Sequence, residues 1–179
     1  MPVSASRETS DSTLVERARA GEPAALGALY ERHGGALLAL ARRLLGNGED
    51  AEDVLHDVFL GLPEALRRYE ERGALDAWLK RVTARVALNR LRSRARARER
   101  SLDPGLHAPP VPGALHDALA LEQAIAALPD TLRAVFVLRE IAGLPHAEVA
   151  RLLEITPGAS EVRLHRAIRA LRLSLGTSR

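Results

Sequence analysis

The sequence contains no cysteine. Disulfides, thiolate zinc sites, iron–sulfur clusters and cysteine nucleophiles are therefore excluded. Aromatics make up only 3% of the 179 residues and are confined to Tyr30, Phe59, Tyr69, Trp78 and Phe136. β-Branched residues are sparse too, which argues against a sandwich or barrel, whose pleated faces draw on Val, Ile, Thr and aromatics. No uninterrupted apolar run approaches the roughly 18–20 residues that span a bilayer. The opening MPVSASRETSDS is polar and lacks the apolar core of a secretory signal, so a soluble, cytoplasmic protein is expected. No glycine-rich phosphate loop or nucleophile motif is present, so neither an active site nor a cofactor is expected. What remains is an apolar fraction of 46%, drawn mainly from Leu and Ala, and that composition favours helices.

Net charge is only +3, but it is unevenly spread. Between Glu49 and Asp57 the chain carries five acids and no Lys or Arg; between Lys80 and Arg100 it carries nine basic residues against one acid, Glu99. Such asymmetry predicts two surfaces of opposite sign and two kinds of partner, one of them polyanionic. Solvated helix faces are the plainer alternative.

Proline and glycine divide the chain. Pro104, Pro109, Pro110 and Pro112 fall within SLDPGLHAPPVPGAL, which cannot hold a helix and reads as a linker. The expected organisation is an unstructured stretch over 1–11, a helical domain over 12–98, a linker over 99–115 and a second helical domain over 116–176. In the first domain, Asp11 or Ser12 would cap a short helix closed by Gly21. The next helix starts near Pro23, is interrupted at Gly34–Gly35 and stops at Gly46. A third spans about 49–62, and a fourth carries Leu75, Trp78, Leu79, Val82 and Val86 at core spacing. Four more helices are expected in the second domain: 116–128, 130–142 with Gly143 as its stop, 145–154, and 157–175 with Thr156 as N-cap.

Three patterns can carry binding. The last two helices are joined by Ile155 and Thr156 alone, a helix–turn–helix whose second member presents Arg163, His165, Arg166, Arg169 and Arg172 to phosphates or guanine edges. On the fourth helix, Arg81, Arg85, Asn89, Arg92 and Arg96 recur every three or four residues as one polar stripe, with Tyr69 and Trp78 near enough to stack. On the third, Glu49 with Asp53 and Asp53 with Asp57 are like-charge pairs at i,i+4, mildly destabilising unless a basic partner meets them. The same carboxylates could be read as a metal site of a small hydrolase, but only His56 accompanies them.

The segments GEDAEDVLHDVFLGL, RYEERGALDAWLKRVTARVALNRLR and LPDTLRAVFVLREIAGLPHAEVARLLEITPGASEVRLHRAIRAL, in that order around a Pro-rich linker, resemble the two-domain extracytoplasmic-function (ECF) sigma factors of the bacterial sigma-70 family. The resemblance runs from about Leu14 to Leu175. It implies an all-α, non-enzymatic subunit that directs core RNA polymerase to promoter DNA and that an anti-sigma factor restrains. It further implies that Asp50, Glu52, Asp53, His56 and Asp57 meet the polymerase. Tyr69, Arg72, Trp78, Arg81, Arg85, Asn89 and Arg92 would recognise and open the minus-ten element, and Ser160, Arg163, His165, Arg166 and Arg169 would read the minus-thirty-five element. The chain departs from the family pattern in places. The family usually has Gln where His56 stands and Trp where Pro63 stands, so the acidic helix is expected to end sooner. Arg85 replaces a frequent Asn and Glu161 a frequent basic residue, so a promoter preference is not carried over. A stand-alone helix–turn–helix regulator is the alternative, and the acidic helix distinguishes the two.

Overall fold

A computed structural model describes residues 10–70, 74–101 and 117–176, and every element among them is helical. The first domain comprises α1 (Asp11–Arg19), α2 (Pro23–Leu45), α3 (Gly48–Arg67) and α4 (Leu75–Ser101). The second comprises α5 (Asp117–Ala127), α6 (Asp130–Phe136) with a π turn at Val137–Ile141, α7 (His146–Leu153) and α8 (Pro157–Gly176). Helix α4 runs past residue 99, where the linker was expected to start. The rest of that linker, 102–115, lies outside the described residues, as do residues 1–9.

Local chemistry accounts for most boundaries. Ser10, not Asp11 or Ser12, caps α1, its Oγ accepting from the Thr13 amide at 3.3 Å. Asp11 instead accepts from Arg32 and sits 3.3 Å from His33 Nε2. Helix α2 starts on Pro23 and ends where Gly46 takes φ 76° and donates to the Arg42 carbonyl. It continues unbroken through Gly34–Gly35, contrary to the expected interruption. Each glycine costs a helix about 1 kcal/mol, whereas Leu29, Leu37, Leu40 and Leu44, on both sides of the pair, are at most 2% exposed. The Tyr30 ring covers Gly34, lying 3.6 Å from where a Cβ would stand.

Helix α3 is likewise longer than expected. Asn47 caps it through the Asp50 amide at 2.9 Å, and it passes through Pro63 to Arg67. An interior proline costs about 3 kcal/mol. Leu62 and Leu66 flank it, both fully buried, and burying a leucine returns about 1.5–3 kcal/mol each. Packing outweighs the missing donor.

Two apolar clusters result. One joins α1, the first half of α2, the second half of α3 and the start of α4 around Leu29, Leu37, Leu62, Leu66 and Leu79. The other spans both domains: Leu40, Leu44, Leu45, Val54 and Leu88 share it with Ile125, Leu128, Leu138, Val149 and Leu171. Helices α2, α3 and α4 contribute to both clusters, so the second domain rests on the helices that also build the first core. No helix among the described residues is long and apolar enough to cross a membrane.

Candidate functional site

The acidic face of α3 is built with its own counter-charges. Asp50 is 5% exposed. It accepts from Asn47 Nδ2 at 2.5 Å and from Arg90 Nε at 3.1 Å, and it pairs with Arg94. Arg90 also pairs with Asp53, and Arg42 reaches Glu52 at 3.0 Å. Partial burial works to lower the Arg90 pKa, but the Asp50 and Asp53 carboxylates outweigh it and push it above its ordinary value. The like-charge crowding within α3 is thus relieved inside the domain. Arg42, Arg90 and Arg94 do this, none of which the sequence patterns singled out, although Arg90 and Arg94 repeat at i,i+4 beside the recognised stripe. Asp50, which the resemblance places against the polymerase, is buried here and braces the start of α3. Glu52, Asp53, His56 and Asp57 are exposed, and His56 and Asp57 form no ion pair among the described residues.

Along α4, the stripe is partly turned inward. Arg85 and Asn89 are exposed. Arg92 is half-buried and donates to Asn89 Oδ1 at 3.1 Å and to the Leu152 carbonyl at 2.5 Å. Arg81 Nε lies 3.7 Å from Glu148. Trp78 packs its ring 4.9 Å from that of Tyr69, and Tyr69 is 6% exposed with Arg19 above its ring. Arg19 also donates to the carbonyls of Leu66 and Tyr69. Tyr69, expected to take part in recognising and opening the minus-ten element, is a member of the first core in this structure. Arg72 lies outside the described residues.

Helices α7 and α8 form a tight helix–turn–helix. Thr156 Oγ1 accepts from the Ala159 amide at 3.1 Å, fixing the start of α8 as the sequence suggested. His165, Arg166 and Arg169 are exposed and Arg163 is half-exposed. Ser160 is the exception. It is fully buried and its hydroxyl bonds His146 Nδ1 at 2.9 Å, joining α8 to the first residue of α7. Expected to read the minus-thirty-five element, Ser160 is a joint between the two helices in this structure.

The arrangement has known counterparts. Residues 29–97 match the model of sigma-70 region 2, and residues 118–171 match that of sigma-70 region 4. The chain belongs to the ECF sigma factors of the sigma-70 family. It is similar to the ECF RNA polymerase sigma factor SigM of Mycobacterium tuberculosis, with 31% identity over 172 residues that cover 94% of this chain and 86% of the relative. It also resembles SigE of Mycolicibacterium smegmatis, 31% identical over 152 residues, although the matched part spans only 59% of that relative's length. The fold is shared with the sigma factor RpoE of Bartonella quintana, solved with the anti-sigma factor NepR (TM-score 0.65, 22% identity, 84% of this chain and 96% of that one). An ECF sigma factor directs RNA polymerase in transcription initiation through binding to the core enzyme and to promoter DNA, and it catalyses no reaction.

Proposed function

We propose that the three faces divide the work of this sigma factor. On α3, the exposed row Glu52, Asp53, His56 and Asp57 meets a basic surface of core polymerase, and buried Asp50 holds the helix start from behind. On α4, Arg81, Arg85, Asn89 and Arg92, with Trp78 beside them, bind the minus-ten element and its displaced strand. On α8, Arg163, His165, Arg166 and Arg169 enter the major groove at the minus-thirty-five element, where guanidinium groups pair with guanine edges and phosphates. Residues 12–98 act as the polymerase-binding and promoter-opening domain, and 116–176 as the duplex-reading domain. The chain works where polymerase does, in the cytoplasm. An anti-sigma factor is its natural restraint, since RpoE of Bartonella quintana, which shares the fold, is solved with one.

The observation that carries this reading is the opposite sign of two exposed helix faces on separate domains: Glu52, Asp53 and Asp57 on α3, of which Asp57 has no ion-pair partner among the described residues, and a row of arginines on α8. A separation-of-function experiment tests it. Glu52→Lys with Asp57→Lys should abolish assembly with core polymerase while native helicity and binding to minus-thirty-five duplex persist. Arg166→Ala should do the reverse, retaining assembly and losing about 1–3 kcal/mol of duplex binding. If both variants lose the same partner, or neither loses any, the division of faces is wrong.

A further inference from the structure

Two carboxylates of the second domain sit on the arginine face of the first. Glu154 Oε1 lies 3.2 Å from Arg92 Nη2, and Glu148 Oε1 lies 3.7 Å from Arg81 Nε. Arg92 is held further by the Leu152 carbonyl at 2.5 Å. Between these pairs is a cleft of about 250 Å³, with Arg85 and Asn89 on its α4 side and Arg151 on its α7 side. Arg81 and Arg92 are three helical turns apart, so the two bridges clamp both ends of the stripe. A carboxylate offers a guanidinium the same geometry of charged oxygens as a nucleic-acid phosphate does.

The position of Glu154 strengthens the case. It ends α7 in the left-handed conformation, with φ 56° and ψ 45°, and it is the only described residue other than glycine with positive φ. Glycine takes this conformation without strain, and a negative charge at a helix C-terminus opposes the macrodipole. A glutamate here is locally unfavourable on both counts, and its visible compensation is Arg92. The clamp does not stand alone. Arg43 forms a bidentate pair with Glu122 across α2 and α5, at 3.0 Å and 3.1 Å from Nε. An apolar cluster, in which Leu44, Leu45 and Leu88 are joined with Ile125, Leu128 and Leu138, also links the two domains.

We infer that the free protein masks its own promoter-opening face: Glu148 and Glu154 of α7 occupy Arg81 and Arg92 of α4 as phosphate mimics, so that single-stranded promoter DNA and the second domain compete for the same guanidinium groups. The inference rests on the reading of the α4 stripe given under Proposed function. A strand gains full access only to the fraction of molecules in which α7 has left, and its apparent affinity falls by that fraction.

The test is binding of the full chain to a short fluorescent single-stranded deoxyoligonucleotide of mixed sequence. Glu148→Gln with Glu154→Gln should tighten binding about three- to tenfold, since each exposed pair contributes modestly. Removing two negative charges from anywhere raises affinity somewhat, so the control is Glu31→Gln with Glu140→Gln, two exposed carboxylates distant from the stripe in sequence. Glu154→Gly alone, which suits the left-handed position, should act in the same direction. Spin labels on Glu64→Cys and Glu140→Cys, in a chain with no native cysteine, report the distance between domains. The glutamine pair should broaden that distribution. Tightening no greater than the control's overturns the inference while leaving the stripe reading intact. If Arg81→Ala with Arg92→Ala leaves oligonucleotide binding unchanged, the stripe reading fails and the inference falls with it.

Discussion

Asp11 joins α1 to α2 through two side chains, Arg32 at 2.6 Å and His33 at 3.3 Å. Burial raises its pKa, but the bonds and charges of Arg32 and His33 outweigh that and hold the carboxyl below its ordinary value of 3.8. A carboxylate depressed in the folded state adds stability that is present above its unfolded pKa and lost as pH falls through the folded one. Asp11→Asn should therefore lower the thermal midpoint at pH 7, and the gap to the parent protein should close as pH drops below about 4. Equal midpoints at pH 7 would mean the carboxylate contributes nothing. The buried candidates Ser160, Tyr69 and Asp50 show what a single side chain conceals and what it reveals. The family resemblance assigned all three to contacts, yet their register suggested burial. Ser160 is in step with Leu164, Ala167 and Leu171; Tyr69 follows Leu62 and Leu66; Asp50 leads to Val54 and Val58. Helical period, rather than residue type, marks all three as buried. The arginines that neutralise α3 were less legible, because Arg90 stands 40 residues from Asp50 in the chain and only the fold brings them together.

At the scale of elements, the end of α5 depends on a residue in the next helix. Arg133 is 6% exposed, and it donates to the carbonyls of Ala126 and Leu128, each at 3.1 Å, and to Asp130 at 2.6 Å. Those carbonyls belong to the helix end and have no partner within α5. Arg133→Met keeps much of the side chain's length but none of its donors. It should destabilise the protein by about 2–4 kcal/mol, read as a lower denaturant midpoint at unchanged slope. A loss under about 0.5 kcal/mol would show that water satisfies those carbonyls as well as the guanidinium does. Helix existence was readable throughout from apolar period, and the turns at Gly21, Gly46 and Gly143 were readable from glycine, each of which has positive φ. Interruptions were not. Gly34–Gly35 and Pro63 carry strong local signals that buried leucines override, and nothing in VLREI marks the π turn. That turn makes the bond from the Ala142 amide to the Val137 carbonyl, while Val135, Val137 and Leu138 all stay fully buried.

For the whole molecule, the division into two helical domains follows from the Pro-rich stretch, but their mutual contact does not, because a linker leaves relative placement open. That contact sets two effects of the α4 arginines against each other. They hold α7, through Glu148 and Glu154, and they are the groups proposed to hold the displaced strand. Replacing Arg81, Arg85 and Arg92 together by Ala removes both roles at once. If masking were their only role, the triple variant would open promoters more readily than the parent, since its second domain is released. If they hold the strand, opening should fail, because release of α7 then exposes a face with no cations left to bind phosphate. The second outcome is expected. Assembly with core polymerase depends on α3 and should persist, as should binding of minus-thirty-five duplex through α8. Permanganate reactivity of promoter thymines in the assembled holoenzyme measures the difference directly. Reactivity should drop well below that of the parent. The remaining opening should be less sensitive to added salt than the parent's, because each phosphate contact removed lowers the number of counterions released on binding. Parental reactivity and a parental salt slope from the triple variant would leave the stripe as a solvated helix face that touches only its own second domain.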